Sequence, residues 1–309
     1  MSALATALST PSPRQQRRFT LGRGALVVPP LVFVAALLLG PIILIALYSL
    51  NLRTNIPGTP TALSTEGWTS FLTEPGNPFR RLFLRSMGIS LLVSIAATIA
   101  AYPLAYFLSF VAGRRRYTLL LLLLAPFFTS YLLRVIAWQV MLNDTGVVNT
   151  ALQTLGLRRH GSAVPWLIYS NFSVALVLFY SWIPFVALPI FGVLESMDRK
   201  LLEAAQDLGA SRQSTFLRVT LPLSLPGVIA GFVFVLIPTT GEFITPLLVG
   251  GPSSQLFGNA IQSFFNDTPD WNFGAVLASI LVVVVVVLMV AFGRFLSTDL
   301  REATKTRRR

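Results

Sequence analysis

Six stretches of the chain are apolar all round rather than along one stripe. They run roughly 25–50, 86–112, 117–141, 166–194, 223–249 and 273–296. A hydrocarbon layer about 30 Å thick takes about 20 residues of helix, so each stretch predicts a membrane-crossing helix. The third opens with Tyr117-Thr118 and six consecutive leucines, and the sixth holds an unbroken valine run, Val282–Val287. Neither leaves room for a polar face. The fourth is too long for one simple span. It is expected to start as an interfacial segment around Trp166 and to kink at Pro184 or Pro189. Gly and Pro bunch from Gly241 to Pro252, which predicts that the fifth helix ends in a non-helical bend near Glu242.

Orientation follows from the basic residues. Arg14, Arg17, Arg18 and Arg23 precede the first stretch, Arg114–Arg116 precede the third, and Arg199, Lys200, Arg212 and Arg218 lie between the fourth and fifth. Six more follow from Arg294 to the end. The alternate loops hold only Arg53, Arg80, Arg81, Arg85, Arg158 and Arg159. Both termini are therefore expected in the cytoplasm. The first apolar run is much longer than a signal-peptide core of roughly 7–15 residues, so it is expected to be retained as a span. Residues 1–24, rich in Ser, Thr, Pro and Arg, are expected to be disordered.

Composition narrows the chemistry. Of 309 residues only 12% are charged and 54% are hydrophobic, with mean hydropathy +0.70 and net charge +12. A soluble domain carries about 25% charged residues. The positive charge sits at span ends on one side, which reads as topology anchoring and not as a nucleic-acid surface. With no cysteine and a single histidine, His160, the chain has no thiolate site and no His-pair metal site. Neither lysine stands in a phosphate-cradling loop, and a membrane-embedded hydrolase would need paired carboxylates, a Ser–His pair or a metal motif.

The loop 195–222 carries the one specific pattern. Good helix formers over 198–208 predict a short helix, Gly209 a stop, and 211–219 a second short helix, with Pro222 opening the next span. Glu203-Ala204-Ala205, then Gly209, then Leu221-Pro222 match in type and spacing the cytoplasmic signature of permease subunits of ATP-binding-cassette importers. Val219 stands where Ile is usual. By this loop and its six spans, the chain after residue 25 resembles that family.

The resemblance implies an all-α membrane protein with the type I importer permease fold. Its layout is a cytoplasmic tail over 1–24, a permease domain over 25–298 and a basic tail over 299–309. The loop is then a coupling helix docking on a separate ATPase. Small Ala204 and Ala205 permit close approach, Glu203 and Asp207 present charge, and Gly209 permits the turn. ATP and Mg are bound by that ATPase, present in two copies, and no cofactor by this chain. Further implied partners are a second, related permease and an extracytoplasmic substrate-binding protein, because the outer loops are too short to form a binding domain.

Arg134 and Glu242 are the charged residues that lie away from the ends of the apolar stretches. Such residues are costly in lipid and mark pairs or pathways. Counted along straight helices both fall about 26–30 Å from the inner side, close enough to pair or to line a path with Tyr131, Trp138 and Phe243. The strings Arg134-Val-Ile-Ala-Trp138, Gly146-Val-Val-Asn149 and Gly241–Pro252 look like the spermidine/putrescine branch of the family. That branch also takes in permeases for iron, thiamine, opines and phosphonates. A secondary transporter acting alone would need ion sites of its own, and a single acid and a single base are a thin supply for that.

Overall fold

The computed structural model describes residues 23–54, 61–157, 164–268 and 270–306. Among them every regular element is helical. The tail expected over 1–24 falls, up to residue 22, outside the described residues, as do Arg158, Arg159 and His160. Two compact units are distinguished, Met1–Leu44 and Ile45–Arg309. The first is described up to Leu44 as the greater part of α1 (Arg23–Ser49), a helix apolar on all sides that holds Pro29, Pro30 and Pro41.

The second unit contains α2 (Glu66–Thr73), α3 (Pro78–Tyr106), α4 (Arg116–Leu124), α5 (Tyr131–Leu142) and α6 (Val147–Thr154). It continues with α7 (Asn171–Glu195), α8 (Lys200–Asp207), α9 (Arg212–Thr215), α10 (Leu221–Thr240), α11 (Phe257–Asn266) and α12 (Trp271–Thr306). Among the described residues of the chain, five helical runs are long and apolar enough to cross a membrane, and a bent pair makes a sixth. The last helix runs on to Thr306, into the stretch expected as a basic tail.

The core is a three-helix contact of α3, α7 and α10. In lipid, helices gain nothing by hiding apolar surface from one another, so association depends on close packing. The sequence supplies small side chains where this is needed. Ser86, Ser90, Ser94, Ala97, Ala101 and Ala105 form a fully buried ridge on α3 at helical spacing. On α10, a Cβ at Gly227 would lie 2.7 Å from the Pro189 carbonyl oxygen, and one at Gly231 only 3.0 Å from that of Val186. A second core is aromatic. Phe71, Phe79, Phe83, Phe257, Phe264 and Phe273 join α2, the start of α3, α11 and the start of α12 through edge-to-face and tilted ring contacts.

One expectation needs correction. The third stretch is not a straight span. Residues 113–128 and 131–154 meet at 84° around Thr129-Ser130. Pro126 sits in the short 3-10 turn Ala125–Phe128 that ends the first arm, and Ser130 opens the second with extended backbone. The fourth stretch starts as a helix only at Asn171, where Ser170 and Ser173 cap it reciprocally. Trp166 lies before that cap, edge-on to Phe172. From there α7 runs without a break through Pro184 and Pro189.

Replacing Gly231 by Val should lower the melting temperature of the detergent-purified chain, because overpacking costs about 1–3 kcal/mol. Gly192→Ala, at a position with nothing within 4 Å of the added Cβ, should leave it unchanged.

Candidate functional site

Two places gather the residues that the sequence singles out. The first is the α8–α9 loop. Asp198 starts α8 by accepting the Lys200 N–H at 3.0 Å. The helix ends in a Schellman turn: Ala210 N–H donates to the Ala205 carbonyl and Gly209 N–H to that of Gln206. Gly209 sits at φ +87°, a left-handed conformation that a side chain would strain. Ser211 caps α9 by accepting the Ser214 N–H. A π-wound turn, Phe216–Thr220, joins α9 to α10, with Pro222 two residues beyond. Pro222 stands in the first turn of α10, as expected from the sequence. Helical winding is continuous over Arg212–Thr240, and the wide turn falls where proline removes a donor and crowds the preceding turn.

No residue of α8 is buried. Glu203, Ala204 and Asp207 are exposed and Ala205 half-buried. Beside the charges stand apolar side chains in the open, Leu201 at 50% and Leu208 at 89% exposure.

The second place is the break after α10. The helix stops at Thr240 and the chain passes through Gly241–Phe243 before a π-wound turn, Pro246–Gly250. Glu242 is thus not within the fifth helix. Its Oε1 accepts the N–H groups of Ile244 at 2.9 Å and Thr245 at 3.2 Å, so the carboxylate caps the segment that follows it. Thr245 is fully buried, and its hydroxyl pairs with that of Tyr131 at 2.6 Å.

Arg134 does not pair with Glu242. Its guanidinium lies over Phe127 at 4.1 Å and near the Tyr131 ring at 5.7 Å, and its Nε and Nη1 are buried with no hydrogen-bond partner. The ion pair found among the described residues is Arg116–Glu195, at 2.6 Å. The bend at Thr129-Ser130 and the early end of α10 remove both straight helices on which the depth count rested. Tyr131 is what connects the two charges. Arg134 lies near its ring, and its hydroxyl bonds that of Thr245, whose N–H the Glu242 carboxylate accepts. Trp138, one turn after Arg134 on α5, packs on Tyr180 at 5.3 Å, and Phe243 is 37% exposed.

Sequence reasoning missed the residues that hold the break together. Gln139 Nε2 donates to the Leu248 carbonyl at 2.8 Å, Ser173 Oγ to that of Val249 at 2.6 Å, and Asn259 Nδ2 to that of Phe243 at 2.8 Å. The available signal was polarity: Gln139 is a lone polar side chain in an apolar run, and Ser173 and Asn259 are polar positions close to aromatic ones. Gly258 lets α11 approach, since a Cβ there would lie 2.5 Å from the Gly241 carbonyl oxygen.

Comparison with known proteins agrees with this architecture. The chain is 34% identical over 213 residues to the spermidine/putrescine transport system permease protein PotB of Escherichia coli (strain K12), covering 69% of this chain and 76% of that one. It is 35% identical over 219 residues to PotB of Haemophilus influenzae, covering 71% and 76%. Among solved structures, a bacterial ABC transporter involved in the import of the acidic polysaccharide alginate superposes with a TM-score of 0.67. That match covers 89% of this chain and 94% of that one, at 18% identity, and bears on the fold alone. The family described as binding-protein-dependent transport system inner membrane component matches residues 58–302. With four-fifths of its length accounted for in this way, the chain belongs to that family of inner membrane transport proteins.

Proposed function

We propose that this chain is a permease subunit of an ATP-driven importer and forms half of its translocation pathway, with both termini in the cytoplasm. ATP and Mg belong to a separate ATPase subunit, present in two copies, and this chain catalyses nothing itself. The observation that carries the reading is the surface of α8. Leu201 and the C-cap residue Leu208 stand exposed along one side of a short helix outside the membrane-crossing runs, with Glu203 and Asp207 on its other side. Apolar side chains grouped with charge at such a site mark a docking surface. The residues that take part are Glu203, Ala204, Ala205, Asp207, Gly209, Leu221 and Pro222. A second, related permease supplies the other half of the pathway, and an extracytoplasmic binding protein delivers the solute.

The solute is a polyamine of the spermidine/putrescine class. The PotB relatives support this, and so does the half-buried Glu242 carboxylate with Phe243 and Tyr131 beside it. A passing ammonium group meets a carboxylate oxygen and aromatic faces there. Arg134 and Trp138 line the same route from the α5 side. With one carboxylate available, the contact is brief, and affinity resides in the binding protein.

Gly209→Pro should leave membrane insertion intact and lower solute uptake per ATP hydrolysed at least tenfold, since proline cannot take the positive φ and lacks the N–H of the turn. Glu203→Ala should act in the same direction more weakly. A reconstituted Gly209→Pro complex that transports at the wild-type rate would exclude the coupling role.

Glu242→Gln should lower uptake of labelled spermidine at least tenfold. The amide oxygen still accepts the N–H groups of Ile244 and Thr245, so the stability loss should stay within about 1 kcal/mol, as for a weakened cap. Adding Arg134→Gln should not recover stability, because no direct pair exists to be relieved. Normal uptake by Glu242→Gln would remove the residue from the pathway.

A further inference from the structure

Where α3 ends, two loosened helical turns face each other. Phe107–Val111 closes α3 as a π-wound turn, and Phe216–Thr220 is the turn between α9 and α10. Phe216 meets Tyr102 and Tyr106 edge to face, both at 5.7 Å. Beside these rings is a cavity of about 270 Å³, bounded also by Phe110, Leu202 and Gln206. One side chain crosses from the α8–α9 loop to the α3 turn. Arg199, whose carbonyl accepts the Glu203 N–H in the first turn of α8, donates from Nη2 to the carbonyl of buried Ser109 at 3.0 Å. Its guanidinium also lies over Phe110 at 5.8 Å.

We propose that Arg199 is a positioning residue that carries displacement of the α8–α9 loop into α3, with the two facing π-wound turns as the yielding joint. The inference rests on the coupling role of that loop. Three features support it. The bond reaches backbone of the π-wound turn that continues α3, so a pull on α8 acts on the end of α3 without passing through side-chain packing. A cation at this point also faces the negative end of the α3 dipole, which holds it in place. Single π turns are wound more widely than the α-helix and occur frequently at functional sites. The cavity leaves Phe216 and Leu202 room to move, whereas a fully packed interior resists displacement.

The test uses the complete transporter, purified through this chain with its ATPase and second permease and reconstituted in liposomes. The chain has no cysteine, so Val111→Cys, at an exposed position in the α3 turn, accepts a single bimane. ATP should shift the bimane emission in the otherwise wild-type complex. Arg199→Met keeps the stem and loses the donors. It should abolish the shift and lower labelled spermidine uptake per ATP at least tenfold, while subunit recovery and ATP hydrolysis stay within twofold. Arg199→Lys restores one donor and the charge, and should recover at least half of both signals. A wild-type shift and wild-type uptake in Arg199→Met would overturn the proposal. Equal loss of subunit recovery in the Met and Lys variants would overturn it too, because that outcome marks a general packing role. Failure of the coupling reading shows itself earlier and separately, as a wild-type chain recovered without any ATPase.

Discussion

Backbone that leaves a helix inside an apolar layer must still have its N–H and C=O groups satisfied, and lipid offers no partner. The break between α10 and α11 meets this constraint with side chains from three other elements. Gln139 of α5, Ser173 of α7 and Asn259 of α11 each take one of its carbonyls, while Glu242 accepts two of its N–H groups. The arrangement of α5, α7 and α11 around the break follows from these bonds. A helix displaced by an ångström or two would leave a buried polar group unpaired, at a cost of about 1–3 kcal/mol.

The same economy of polar groups explains the close core. Serines at 86, 90 and 94 are small enough for α7 and α10 to approach α3. Two of their hydroxyls have partners that cost the packing nothing: Ser94 bonds back to the Ser90 carbonyl of its own helix, and Ser86 accepts the Phe257 N–H at the start of α11. Glycines at 227 and 231 do for α10 what the serines do for α3. Residues that look incidental in the sequence thus decide which helices can touch.

Much of this was legible beforehand. The six apolar stretches, the two short helices between the fourth and fifth, and the stop at Gly209 all follow from composition and turn chemistry. The 84° bend did not, because residues on both sides of Thr129-Ser130 are equally apolar and periodicity carries no record of direction. Of the two readings left open for Arg134 and Glu242, the direct pair failed for the same reason, since the depth count assumed two straight helices. The partners of the break were also hidden. Ser173 and Val249 stand 76 residues apart, and a lone polar residue shows that a partner is needed without showing which.

The bend has an electrical consequence. An α-helix carries about half a positive charge at its N-terminus, and α5 begins at Tyr131 with no side chain capping its first turn. Arg134 stands in that same turn, so two positive sources lie at one place. Across the Tyr131 and Thr245 hydroxyls is the carboxylate of Glu242. The two ends of this short stretch therefore set up a local field directed across the Tyr131 ring towards Glu242. A cation entering it is driven to the carboxylate side, and an anion of the same size to the opposite side.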